Sequence, residues 1–319
     1  MTMRTVVSAL ALAAASTAAA SAQTVDRANG ESGATVLQLT TVPRAAAMGG
    51  ALTATGGIAS LFANPAGLAT VAGFTLHASG QTIFDGAKAG SMALGFRASA
   101  LRVAVGARYL NLGSIDELVC NGCGGQGTPT GNSLSANELA ATGAAAFTLG
   151  RSLSVGAAVN YYSTTVADES GSSMSFSAGL RLPARAGAPV SVGASVQFVG
   201  GSVDLADFSS PLPQTLRAGI ELRPLRPEGS LHLALAADYV GLKGAPGRIV
   251  GGAELGLGRP GSFELLGRFG FASGADADYG TKAISFGGGL VLGPLTLDYA
   301  YQGSNVFGTQ QRLGVTVGR

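Results

Sequence analysis

Charge is scarce in this chain. Only 12% of its 319 residues are Asp, Glu, Lys or Arg, and the formal net charge is +2. It therefore has neither the basic field that a nucleic-acid partner requires nor an acidic tail. Trp is absent, and Cys and His occur only twice each. No G-x-S-x-G elbow or H-E-x-x-H run is present, and His77 and His232 lie far apart, so neither an enzyme nor a cofactor is expected. Beyond the N-terminus no apolar run approaches the roughly 20 residues of a spanning helix. Yet 46% of the residues are hydrophobic and the mean hydropathy is +0.34. Without a spanning helix, so apolar a chain can satisfy its backbone in lipid by closing a β-barrel, in which every N–H and C=O pairs between strands. A secreted β-sandwich would alternate too, but with more surface charge.

The start of the chain reads as an export signal. Met1 to Arg4 is a short basic region, Val6 to about Ala20 is Ala-rich and apolar, and Ala20-Ser21-Ala22 precedes Gln23 as a cleavage site. A retained membrane helix is the alternative, but it would be more strongly apolar. No Cys follows the site, so lipoprotein acylation has no acceptor. The expected division is 1–22 signal peptide, 23–72 N-terminal segment and 73–319 barrel.

Period-2 alternation, punctuated by Gly, Pro and polar clusters, predicts an all-β transmembrane antiparallel barrel of about 14 strands. The runs are 73–82, 88–98, 100–112, 137–150, 151–166, 172–183, 188–200, 214–224, 229–242, 248–258, 261–273, 282–293, 294–303 and 309–319. Connections after even runs, such as Ser99 and Gly293-Pro294, are short, and those after odd runs, such as Gly113 to Ala136, are longer. A bacterial outer-membrane barrel with both termini in the periplasm has this alternation.

The two faces of each run differ. Leu101, Val103, Val105, Ala107 and Tyr109 alternate with Arg102, Ala104, Gly106 and Arg108. The apolar face is assigned to lipid. Tyr109, Tyr161, Tyr239, Tyr299 and Tyr301 fall late in odd runs and suit an outer interfacial belt, with Phe147 and Phe269 as scattered candidates for the inner one. The other face carries Arg102, Arg108, Arg217, Glu221, Asp238, Glu254, Arg268 and Asp298 among Gly, Ala and Ser. Two readings stay open for these charges. They tie a polar barrel interior by cross-strand ion pairs, or they line a path that contacts a plug or a passing solute.

The least generic stretch is "MGGALTATGGIASLFANPAGLA", Met48 to Ala69. With "TTVPRAAA" before it, "LPQTLRAGIELRP" (Leu212 to Pro224) and "FGGGLVLGPLTLDYAYQ" (Phe286 to Gln302), it resembles the PorV/PorQ family of outer-membrane proteins, grouped with FadL-type barrels. The resemblance implies a 14-strand barrel with the preceding segment folded into its lumen as a hatch, and Arg44, Met48, Gly49, Gly50, Asn64, Pro65, Ala66, Gly67 and Leu68 match the hatch motif. It implies association with type IX secretion, as receptor or shuttle for cargo C-terminal signals beside a translocon. The FadL-like alternative is passive transport of a hydrophobic small molecule. Read physically, Gly49, Gly50, Gly56 and Gly57 permit close approach and positive φ, while Asn64-Pro65 makes a turn that need contact no ligand. Finally, Cys120 and Cys123 form "CNGC" in the longest predicted outer loop. With no further Cys or His nearby, a loop disulfide fits an oxidising compartment better than zinc, and a redox role lacks its usual βαβ setting.

Overall fold

The computed structural model describes residues 33–83, 86–119, 127–150, 152–185, 188–205, 208–225, 230–273, 281–304 and 309–318. The expected signal peptide, Cys120 and Cys123 lie outside the described residues. The strands are β1 (Thr75–Thr82), β2 (Lys88–Ala98), β3 (Leu101–Val119), β4 (Thr128–Leu149), β5 (Leu153–Val166), β6 (Glu169–Leu182) and β7 (Val190–Val199). Then come β8 (Ser202–Leu205), β9 (Phe208–Pro211), β10 (Thr215–Leu222), β11 (Leu231–Leu242), β12 (Arg248–Arg259), β13 (Phe263–Ala272), β14 (Thr281–Leu292), β15 (Leu295–Ser304) and β16 (Thr309–Gly318). All but β8 and β9 form one closed antiparallel barrel of 14 strands. Each strand pairs with its neighbour in the chain, β7 reaches β10 across the inserted β8–β9 hairpin, and β16 returns to β1. Closure removes the unpaired edges that lipid would not tolerate.

The 14 expected runs correspond one to one with the barrel strands, but two loops were underread. The stretch after Gly113 continues the β3–β4 hairpin, pairing Ser114 with Ser135 and Val119 with Thr128. Its residues extend beyond the part that β2 and β5 flank and, apart from Ser135 O accepting from Ala167 N, pair with each other, so no lipid face imposes alternation on them. The 201–213 connection contains the β8–β9 hairpin. The long-and-short rule also has exceptions. β5 and β6 are joined at the outer end by two residues, Ala167 and Asp168, with Ala167 at φ 53°, while 183–189 and 223–230 are long inner connections.

The outward faces are apolar throughout. Val105, Leu235, Leu255, Ile284 and Leu313 are exposed, as are all five belt tyrosines. Phe74, Phe96, Phe147 and Phe263 are exposed at the inner ends of their strands and form the second belt. Phe269 does not join it. It pairs across the wall with Phe286, edge to face with ring centroids 5.5 Å apart. Leu235 is outward and central in β11, whereas its neighbour Ala236 faces inward. Leu235→Arg should therefore destabilise the barrel by about 2–4 kcal/mol, as for cations at the bilayer midplane, and Ala236→Ser should cost little. Equal denaturant midpoints for the two variants in lipid vesicles would contradict this facing.

Inside, the place of an apolar core is taken by residues 33–73. Four short helical turns build this segment: α1 (Thr35–Gln38), α2 (Pro43–Ala47), and the 3-10 turns η1 (Ile58–Phe62) and η2 (Pro65–Thr70). Val36, Leu37, Val42, Met48, Leu52, Ile58, Leu61 and Leu68 are all buried. The segment then leads into β1 at the inner end of the barrel.

Candidate functional site

The segment's shape follows from its own sequence. Pro43 and Pro65 occupy the first positions of α2 and η2, where a missing N–H is harmless and φ is already helical. Gly49 and Gly50 reverse the chain after α2 at φ 72° and 101°. Asn64 caps η2, its Oδ1 accepting from Ala66 N at 3.1 Å, while its Nδ2 donates to Thr53 O at 2.8 Å and to Leu180 O on β6 at 3.0 Å. Thus Asn64 ties two limbs of the segment to the wall as well as making the expected turn. Gly56 does not adopt positive φ; it makes room for Thr70.

Lumen-facing side chains satisfy the segment's backbone around the barrel. Arg312 donates to Thr40 O at 3.1 Å, Ser79 to Thr41 O at 2.9 Å, Arg181 to Ala54 O at 2.7 Å and Arg217 to Gly50 O at 2.7 Å. Ser195 donates to Ala63 O at 2.7 Å and Gln197 to Phe62 O at 3.0 Å. Arginines and hydroxyls serve the carbonyls, and carboxylates serve the amides. Glu138 accepts from Val36 N at 2.7 Å. Asp238 Oδ2 accepts from Leu52 N at 2.8 Å, Thr53 N at 2.9 Å, Thr53 Oγ1 at 2.6 Å and Arg217 Nη2 at 3.1 Å. Burial of such amides without acceptors would cost about 1–3 kcal/mol each.

The wall is shaped to admit the segment. A Cβ at Gly179 would strike the Asn64 amide, one at Gly193 the Thr53 carbonyl, one at Gly252 Met48, and one at Gly270 the Met48–Gly49 peptide. Outward Gly143 and Gly267 would meet nothing. A second adaptation lies in β7, where the pairing with β6 slips between Phe176 and Ala178 and Phe198 takes φ 56°. This bulge turns Gln197 and Phe198 both inward. There Phe198 and Phe62 flank the Arg108 guanidinium at 5.6 and 5.2 Å, while Arg108 donates to Leu37 O at 3.0 Å.

A chain of ion pairs crosses the inner half. Arg44 meets Glu254 through Nε at 2.9 Å and Nη2 at 3.0 Å, and Glu221 at 3.7 Å. Arg268 bridges Glu254 at 2.6 Å and Asp298 at 2.7 Å, and Arg223 meets Glu221 at 3.1 Å. Burial alone would lower the Arg44 pKa, but Glu254, Glu221 and Asp298 outweigh it, so the pKa is raised and the cation is fixed. His232 pairs with Glu264 at 2.5 Å rather than with Glu254, because the register sets Gly256 opposite it and leaves its ring room to cross that glycine. Arg102 stands apart near the inner rim, donating to Val71 O at 3.2 Å and Ala100 O at 2.9 Å.

Of the predicted residues, the lumen brings together Arg44, Arg217, Glu221, Asp238, Glu254, Arg268 and Asp298 around the segment, with Arg108 above them. Met48, Pro65, Ala66, Gly67 and Leu68 are buried packing positions. Sequence reasoning missed Glu138, Gln197 and Phe198; Gly200-Gly201 after Phe198 was the one signal of irregularity.

Among the described residues, an outer and an inner cavity lie in the lumen. The outer one, about 100 Å³, is lined by Leu37, Leu39, Phe62, Phe198, Val240 and Leu242 together with Arg108, Arg217 and Arg248, and by no carboxylate. The inner one, about 370 Å³, is balanced in charge, with Arg44, Arg223 and Arg268 against Glu254, Glu264 and Asp298, between apolar Ile58, Leu225, Leu233, Leu266 and Val291. Among the described residues no group of His, Cys, Asp and Glu could hold a metal ion.

Known proteins match this architecture in structure. The Pseudomonas putida toluene transporter TodX superimposes with a TM-score of 0.58 at 13% identity, covering 86% of this chain and 95% of that one. The Ralstonia pickettii toluene transporter TbuX gives 0.57 at 14% identity, covering 86% and 96%. The fold is that of an outer-membrane barrel. No family model and no curated protein sequence matches, so nothing beyond the quoted residues supports the PorV/PorQ resemblance.

Proposed function

We propose that this outer-membrane barrel is a passive channel for hydrophobic small molecules, with the N-terminal segment acting as its hatch. The observation that carries this reading is the lumen itself. An outer cavity with apolar walls and arginines but no carboxylate ends on an internal segment bonded to the wall, and a larger cavity that carries both signs of charge between apolar side chains follows on the inner side. An apolar solute would gain by leaving water for the apolar walls of either cavity. The likeness to two toluene transporters supports the same reading. Catalysis has no part in it.

The test is accumulation of toluene in cells with an intact lipopolysaccharide leaflet, because plain phospholipid bilayers pass small arenes unaided. Expression should raise the initial uptake rate of toluene while leaving that of a sugar of similar size unchanged. Equal toluene uptake with and without the protein would remove the reading. The type IX secretion role rests on the PorV/PorQ resemblance of Thr40 to Ala69, Leu212 to Pro224 and Phe286 to Gln302 alone; retention of cargo C-terminal domains by the purified barrel would favour it.

A further inference from the structure

Val42 and Leu52 are common to the linings of the outer and the inner cavity, and no other residue is. Both are buried and belong to one apolar cluster with Ala45 and Ala63, against which Ala59 and Phe62 pack. Every member of that cluster belongs to the N-terminal segment. The partition between the cavities is therefore made by the segment against itself and not by the segment against the wall.

Each side of the partition is separately fixed. The carbonyls of Thr40 and Thr41, just before Val42, are held by Arg312 on β16 and Ser79 on β1. On the other side, Asp238 on β11 holds the amides of Leu52 and Thr53. Parting two methyl-bearing side chains breaks none of these bonds, whereas withdrawing the segment would break all of them and strand buried polar groups.

We infer that the Val42–Leu52 contact is a hydrophobic gate that excludes water and ions and yields to uncharged apolar solutes while the segment stays anchored in the barrel. An apolar constriction of this kind gates by dewetting: a hydrated ion would shed water with no polar group to replace it, and an apolar solute has none to shed. This inference rests on the channel reading for its apolar solute, but its ion-exclusion half stands independently.

The experiment uses the full-length mature protein in planar bilayers, with toluene uptake in cells measured in parallel. Val42→Thr and Leu52→Asn keep the branching of each side chain and make the contact polar. Either should produce a steady ion current that the parent lacks, with the segment still protease-resistant. Val42→Ala and Leu52→Ala, which enlarge the contact without wetting it chemically, should raise toluene uptake more than ion current. They also decide the matter if a polar variant lacks the heat-modifiable band of a folded barrel. Folded polar variants with no more current than the parent, or a parent that already conducts ions steadily, would overturn the gate. If the polar variants conduct while the parent takes up no toluene, the gate stands and the proposed transport function falls.

Discussion

Replacing Asp238 by Ala should release the middle of the N-terminal segment and destabilise the protein by about 3–5 kcal/mol, the range for removing one partner of a buried ion pair. One oxygen of this side chain serves two backbone amides, a hydroxyl and the Arg217 guanidinium, and Asp238 is only 2% exposed. The loss leaves Arg217 without its carboxylate and the Leu52 and Thr53 amides without an acceptor. The strands should nevertheless remain paired, because β11 holds β10 and β12 through its backbone. The expected result is a barrel that still runs faster unheated than boiled, with a lower denaturant midpoint and with cleavage in the 48–57 stretch under limited proteolysis. Asp238→Asn, which keeps an acceptor and loses the charge, should fall between the parent and the Ala variant. A segment as resistant in the Ala variant as in the parent would show that Asp238 does not hold it.

The barrel was legible because lipid imposes a rule that each strand must obey locally. Val105 must face out and Arg108 in, whatever stands beside them, so period-2 alternation reports the facing without any knowledge of neighbours. The inward charges were legible for the same reason. Their partners were not. Whether Arg44 meets Glu254 or Asp298 depends on how a segment without periodicity is folded within the lumen, and no local pattern encodes a contact 210 residues away. Glycine illustrates the same limit: inward Gly179 and Gly270 are required by the close approach of Asn64 and Gly49, while outward Gly143 and Gly267 have open space around them. In the sequence the four look alike. The β7 bulge was hidden because one inserted residue shifts alternation by one only at the end of the run, where Gly200-Gly201 mark an irregularity without showing which residues turn inward. The β3–β4 extension was hidden for the opposite reason, since strands that leave the membrane no longer owe it an apolar face.

The second large effect should come from Glu254, the junction between the segment and the wall. Its carboxylate stands between Arg44 of the segment and Arg268 of β13, at 2.9 and 2.6 Å, and Arg268 in turn holds Asp298 at 2.7 Å. Glu254→Ala leaves Arg44 and Arg268 facing each other across a mostly buried space, with Asp298 still holding Arg268 at 2.7 Å and Glu221 at 3.7 Å from Arg44 as the remaining relief. We expect a cost of about 3–5 kcal/mol. Arg44→Ala should cost less, because Arg268 still neutralises Glu254 and because the Arg44 side chain is 21% exposed. Combining the two separates the wall's own stability from the junction. Residues in one ion-pair network show coupling of roughly 0.5–3 kcal/mol in such a double-mutant cycle. Here the double variant should be less damaged than the sum of the single ones, since Arg44→Ala removes one of the two cations that Glu254→Ala strands. The coupling should persist in high salt, because buried pairs are screened far less than exposed ones. Additive costs would mean that Arg44 and Glu254 do not meet in the folded barrel, and the segment would then be held by its other bonds to the wall without this junction.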